Sequence, residues 1–234
     1  MRRWRSAFVA AIGIVLTTMS PSGAVPIPAS MTWDLAKDFR TAPSQANPSP
    51  DRCGNKGVWS YLAGPSNDPD AYRQLPDFAT GKFHVQSLET WSGEHQSSDE
   101  ADTLPAVGLN VTPDAVDIYN IHWPAGDVLV HPLPSDAAVV AWRSPITGTV
   151  TIFGQAWLAQ HPDCGNGVEW SLRDGATVLR SGAIAGHEKA RWTVPRLHVT
   201  KGDQIYLAID ARDDYHSCDS TIVRLIIKKS KGSM

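Results

Sequence analysis

Nine tryptophans stand in a chain of 234 residues, and eight of them lie beyond residue 24. An indole offers a broad apolar face with one polar edge, and the CH face of a sugar ring stacks on such a surface. Trp59, Tyr61, Trp91, Trp123, Trp157 and Tyr215 fall outside the most regular apolar runs. They are the aromatics expected to act as platforms, with Glu169 at the rim to take hydroxyl hydrogen bonds. Trp142 and Trp170 sit inside alternating runs and are expected to be core. The competing expectation for the whole set is that aromatics fill a sandwich interior, where they bury large areas.

Oxygen ligands form a second group. Asp163 and Asn166 share one polar loop, and Asp210, Asp213, Asp214 and Asp219 crowd another. Asp163, Asn166, Asp214 and Asp219 are the set that would hold calcium, which accepts carboxylates, amide oxygens and water in a flexible shell. The spacing is not that of an EF-hand, and Asp163 and Asp219 are equally suited to hold turns through nearby backbone N–H groups. Nothing assigns a catalytic residue: Gly-x-Ser-x-Gly, His-Glu-x-x-His, a Walker loop and Gly-x-Gly-x-x-Gly are all missing from the sequence. A hydrolase would have to use scattered groups. Glu169 with Asp210 is the carboxylate pair to test for glycoside hydrolysis, and Asp163 with His161 and His216 the alternative acid/base or zinc cluster.

These loops also carry cysteine. Of Cys53, Cys164 and Cys218, the last two each lie just ahead of an apolar alternating run, and loops entering strands from the same end of a sandwich can meet. A Cys164–Cys218 disulfide is therefore expected, closing a loop of about 50 residues and contributing roughly 3–4 kcal/mol in the chain-entropy model. Cys53 is left over.

The elements that must position these groups read as strands. Val150 and Ile152 alternate with Thr149 and Thr151, Val168, Trp170 and Leu172 with Glu169, Ser171 and Arg173, and Ile205, Leu207 and Ile209 with Tyr206, Ala208 and Asp210. Asp174-Gly175 and Lys201-Gly202-Asp203 supply turns. Short alternating runs about ten residues apart predict an all-β, antiparallel sandwich or barrel over 58–229. Residues 25–57 are rich in proline and serine and are expected to form a mostly extended, irregular N-terminal linker. The acidic stretch Ser92–Thr103 is expected to be a long exposed loop.

Arg2, Arg3 and Arg5 precede an apolar run from Ala7 to Leu16, and Ser22-Gly23-Ala24 supplies small residues. That order is a secretory signal peptide over 1–24, too short to span a bilayer, which takes about 20 apolar residues. Loss of its three arginines takes the formal charge of −3 to −6. A mildly acidic exported chain has no general electrostatic reason to bind nucleic acid, and export into an oxidising compartment suits the disulfide.

His131-Pro132, Trp142-Arg143-Ser144-Pro145 with Gly148, Gly165-Asn166-Gly167-Val168-Glu169-Trp170, Gly202-Asp203-Gln204-Ile205 and Asp219-Ser220-Thr221 follow one another over the second half. In that order they resemble secreted bacterial β-sandwiches of the galactose-binding-like, carbohydrate-binding-module type. The resemblance implies a jelly-roll topology and sugar recognition, often beside a catalytic domain, although this chain offers none. Three functions are thus expected to compete. The first is a secreted, non-catalytic glycan-binding or surface-interaction domain; the others are a secreted hydrolase and a structural partner-binding protein of the envelope.

Overall fold

The computed structural model describes residues 31–41, 46–81, 88–93, 104–160 and 164–230. The expected signal peptide, most of the strand expected over Phe83–Leu88 and most of the acidic loop lie outside the described residues. In chain order the strands are β1 (Thr32–Asp34), β2 (Trp59–Gly64), β3 (Arg73–Gln74), β4 (Asp77–Thr80), β5 (Leu88–Ser92), β6 (Ala106–Asn110), β7 (Val116–Ile118) and β8 (Ile121–Trp123). They continue as β9 (Val128–His131), β10 (Ala137–Arg143), β11 (Gly148–Leu158), β12 (Val168–Asp174), β13 (Thr177–Ile184), β14 (Lys189–Val199), β15 (Gln204–Ala211) and β16 (Thr221–Lys229). A short helix, α1 (Leu35–Thr41), follows β1.

The expected all-β antiparallel sandwich is what forms. Sheet one runs β14-β11-β16-β9-β6-β5-β4, with β1 added beside β16, and sheet two runs β13-β12-β15-β10-β2-β3. Alternation decides which side chains meet. Val150, Ile152, Val223, Leu225 and Ile227 of sheet one face Trp142, Leu172, Ile205, Leu207 and Ile209 of sheet two, all buried. At one end of this core an indole from each sheet meets face to face: Trp192 of β14 and Trp170 of β12 stack with centroids 4.1 Å apart. Each ring also covers a glycine on the neighbouring strand, Gly154 beneath Trp192 and Gly182 beneath Trp170. A Cβ at Gly154 would fall on the Trp192 ring, whereas one at Gly182 would press against the Trp170 indole at 3.0 Å.

The segment expected to be a linker is a correction. β1 pairs with β16, and Trp33, Leu35 and Phe39 are buried in the same core as the strands beyond Val58. Trp33 packs against Trp142 at 5.1 Å, while its Nε1 donates to Asp51 at 2.9 Å. The reason is local: alternation places Trp33 and Leu35 on one side, and one turn of α1 brings Phe39 to the same side as Leu35. These three apolar anchors, with the strand pairing of β1, bind a proline-rich stretch whose composition alone reads as unstructured.

The two outer faces are covered differently. On sheet two, Tyr72 from the loop after β2 packs over Leu62, Val139, Tyr206 and their small neighbours. On sheet one, the β7–β8 hairpin lays Ile118 and Trp123 over Leu88, Leu129 and Ile222. That hairpin covers the part of the sheet made by β5, β9, the start of β16 and the end of β11, where Trp157 packs against it. The remainder, formed by β14 and the rest of β11 and β16, has no such cover among the described residues. No described helix is long and apolar enough to cross a membrane.

Candidate functional site

Of the six aromatics expected as platforms, four are interior. Trp59, Tyr61, Trp91 and Trp123 are buried, which corrects that expectation. Strand alternation turns Trp59 and Tyr61 inward on β2, and Tyr61 stacks on Trp91 at 6.1 Å. Burial pushes the Tyr61 phenol well above its ordinary pKa. Trp123 lies under the hairpin and donates its Nε1 to the Asp127 carbonyl at 2.8 Å. Tyr215 is 51% exposed, just beyond the single turn Arg212–Asp214 that follows β15. Trp157 faces outward from β11.

Trp157 stands on the outer face of sheet one at the margin of the β7–β8 hairpin, half-buried against the cluster of Ile118, Trp123, Leu129 and Ile222. Inward parity on β11 belongs to Val150, Ile152 and Ala156, so Phe153, Gln155 and Trp157 point away from the core. Phe153 is 39% exposed and was not anticipated. Extending the alternation of Val150 and Ile152 by one more residue would have found it. Lys189 Nζ lies 4.3 Å from the Trp157 ring centroid and the Arg224 guanidinium 5.0 Å, while Lys228 Nζ lies 5.3 Å from that of Phe153. Registration across three strands sets Arg191, Gln155 and Arg224 in one transverse row. Arg224 is held by a two-pronged contact, Nε to Asp127 Oδ1 at 2.8 Å and Nη2 to Oδ2 at 2.9 Å. This bond to Asp127 keeps the guanidinium above its ordinary pKa.

The row forms the floor of a trough. One hollow of about 420 Å³ is lined by Phe153, Gln155, Arg191, Thr193, Arg224 and Ile226. A second of about 460 Å³ continues past Arg224 and Ile226 to Asp34, Lys37, Thr112 and Asp127. Aromatic faces, an amide, hydroxyls and carboxylates thus share one open surface. Such a surface can stack an apolar ring face and hydrogen-bond the polar groups around it.

Glu169 lies on the other outer face. It is register partner to Asp210 across β12 and β15, so the pair singled out from the sequence does meet. Their Cβ atoms are then about 5 Å apart. Both line a hollow of about 380 Å³ with Ser66, Asn67 and Arg173. Burial raises the Asp210 pKa, opposed by a hydrogen bond from Ser66. Trp170, which also borders this hollow, is buried against Trp192, so no aromatic face is offered to a ring there.

The Cys164–Cys218 disulfide is present, with Cα atoms 5.6 Å apart, and Cys53 is free and exposed. Around the disulfide the loops hold unsatisfied oxygens. Asp219 is fully buried, and neither carboxylate oxygen has a hydrogen-bond partner; Asn166 Oδ1 is also unpartnered. Burial, with Asp210 adding to it, raises the Asp219 pKa to about 7. Asp214 is exposed, and Asp163 and His161 lie outside the described residues. No group of three His, Cys, Asp or Glu side chains among the described residues is placed to hold a metal. Calcium here would rest on Asp219, Asn166 and backbone or water oxygens, and the orphaned carboxylate fits that role.

A histidine neighbours the same loops. His131 Nδ1 lies 2.9 Å from Ser220 Oγ, which also accepts from Gln160 at 3.1 Å. Burial, reinforced by His216, lowers the His131 pKa to about 4, so the ring is neutral at physiological pH. Ser220 is itself buried, which makes this pair a tie between β9 and β16 rather than an exposed nucleophile.

No protein-family profile matches the chain, and no curated protein does. Among solved structures it is similar to the first CBM36 domain of a multidomain xylanase from the hindgut metagenome of Trinervitermes trinervoides. There the identity is 15% and the TM-score 0.34, over 54% of this chain and 98% of that one. A CBM36 carbohydrate-binding module in complex with calcium and xylotriose gives 18% and 0.29, over 49% and 87%. A CBM6 module from Clostridium stercorarium in complex with cellobiose gives 11% and 0.29, over 51% and 85%. These three structures are carbohydrate-binding modules, each matched by about half of this chain.

Proposed function

We propose that the protein is a secreted, non-catalytic glycan-binding domain and that its binding face is the uncovered face of sheet one. The observation that carries this reading is the outward placement of Phe153 and Trp157 on one strand, Phe153 and Gln155 lining a trough rimmed by polar side chains and Trp157 standing half-buried beside the β7–β8 hairpin. Four residues of strand put the two rings roughly 13 Å apart, which suits an extended polymer better than a single sugar. Export follows from the expected signal peptide, and the disulfide suits the compartment that export leads to.

Pull-down and array binding with the chain lacking residues 1–24 tests the reading. Trp157→Ala and Phe153→Ala are each expected to weaken polysaccharide binding by about tenfold, or roughly 1.4 kcal/mol, without changing the melting temperature by more than a few degrees. Flat responses across plant, fungal and bacterial polymers would refute it. New reducing ends in the same incubations, lost in Glu169→Gln, would replace it with a hydrolytic function for the Glu169–Asp210 hollow.

Calcium is the ion we assign to the disulfide loops, against Asp219 and Asn166. Without metal, the folded chain holds a proton on Asp219 that the unfolded chain releases above about pH 4. Stability from this group therefore falls as pH rises through the folded value of about 7. His131 works in the opposite sense, adding stability as pH rises from about 4 toward its ordinary value. Calcium is expected to raise the melting temperature by several degrees at about pH 8, and far less at about pH 5, where the carboxyl is protonated. Asp219→Asn should abolish the response. A calcium-independent melting temperature in the wild type at about pH 8 would dismiss the assignment.

A further inference from the structure

We infer that the glycan bound on sheet one is anionic, its carboxylate or sulfate groups received by the Arg191–Gln155–Arg224 row; this rests on the glycan-binding reading above. The chain as a whole carries a formal charge of −3. Its uncovered sheet face has the opposite sign. Lys189 and Arg191 of β14 with Arg224 and Lys228 of β16 flank the outward side chains of β11. In the adjoining hollow, Asp34 is matched by Lys37 at 3.2 Å, and Asp127 is matched by Arg224. Glu188 stands at the end of β14. Among the described residues, Lys189, Arg191 and Lys228 have no ion pair. A cationic patch on an acidic protein selects for an anion by long-range attraction as well as by contact.

The geometry of the row is specific. Neighbouring strands are about 4.8 Å apart, so the Arg191 and Arg224 backbones are separated by roughly 10 Å with Gln155 midway. Asp127 occupies Nε and Nη2 of Arg224 and fixes the plane of its guanidinium, which leaves further N–H donors for a ligand. Arg191 presents its whole fork. Two arginines on the strands either side of an amide suit a planar carboxylate or a sulfate borne on a ring.

The two aromatic platforms strengthen the choice. Lys189 stands at the Trp157 ring and Lys228 at that of Phe153. A neutral sugar stacking on either ring would have to displace the ammonium and forfeit its cation–π contact. An acidic sugar can stack on the ring and keep the displaced ammonium as its counter-ion. The outer face of sheet two lacks this pairing, since Glu169, Asp210 and Arg173 line its hollow with carboxylates in the majority.

The test is affinity electrophoresis and calorimetry of the chain lacking residues 1–24 against matched polymers. Polygalacturonate and alginate supply carboxylates, dextran sulfate supplies sulfate, and xylan and dextran are neutral. The acidic polymers are expected to bind at least about tenfold more tightly than the neutral ones, the carboxylate and sulfate arms showing which anion fits. Binding should weaken as salt shortens the Debye length toward ~3 Å. Arg191→Gln, an exposed change on an edge strand, should remove about tenfold of the acidic binding. Equal affinity for neutral polymers with no effect of Arg191→Gln would overturn the anionic assignment and leave the glycan reading standing. Failure to bind any polysaccharide would overturn both. Equal binding of duplex DNA through Arg191 would also overturn it, because charge alone would then account for the contact.

Discussion

Gly154→Val is expected to cost about 3 kcal/mol or more and to abolish ligand binding with it. The backbone of β11 passes directly beneath the Trp192 indole, so a Cβ at position 154 would fall within the ring atoms. Trp192 cannot move away, because Trp170 stacks on its other face at 4.1 Å. Trp170 in turn has Gly182 behind it, where an added Cβ would come within 3.0 Å of the indole nitrogen. The two stacked rings thus leave no room for a side chain at position 154, and overpacking a core typically costs about 1–3 kcal/mol, occasionally more. Phe153 and Gln155 flank Gly154, so strand displacement there would also disorder the trough. Urea denaturation of Gly154→Val, alone and combined with Trp192→Ala, checks the account. The double variant should lose less than the sum of the two single changes. A wild-type denaturation midpoint for Gly154→Val would show that the layer can yield.

Asp38→Ala is expected to destabilise by about 3 kcal/mol, whereas Asp38→Asn should lose only a fraction of that. Asp38 is fully buried on α1. It accepts from Trp59 Nε1 at 2.9 Å and from the backbone N–H groups of Asp34 and Arg52 at 3.2 and 3.3 Å. The Arg52 guanidinium stands 3.8 Å away. Alanine removes the acceptor of the Trp59 indole and of the two backbone N–H groups; asparagine keeps an oxygen for the indole. Burial raises the Asp38 pKa in spite of its donors. The folded chain therefore binds more protons than the unfolded one, and this contribution to stability declines as pH rises through the folded value. The margin of wild type over Asp38→Asn should accordingly narrow as pH rises above the ordinary carboxylate range. Loss of the N-terminal anchor in Asp38→Ala should also expose Trp59, measurable as a red shift in tryptophan emission. Unchanged stability of Asp38→Ala would mean that the segment is held by its apolar anchors alone.

These two predictions concern contacts that sequence reading did not reach, and the reason is the same in both. Period-two alternation reports which side of a strand a residue takes, and it placed Ile205, Leu207 and Ile209 inward, as found. It does not report what lies on the far side. Trp59 and Tyr61 alternate as a strand should, yet whether their side of β2 met solvent or the opposing sheet was undecided until the sheets were stacked. Trp123 had no platform role once its own hairpin folded over sheet one. In the reverse direction, Phe153, a single aromatic amid threonines and glycine, belongs to no aromatic pattern that would mark it as a surface platform.

From the order of its residues alone, the chain specifies antiparallel strands and the alternating faces of each, because alternation and turn chemistry act over a few neighbouring residues; the pairing of Cys164 with Cys218 follows from the strand ends at which their loops lie. The choice of an open face was made by the folded molecule. Coverage depends on contacts such as those of Trp123 with Leu88 and Ile222, between residues far apart along the chain, and no local pattern encodes them. The same holds for Arg191, Gln155 and Arg224, which become one row only through the registration of three strands.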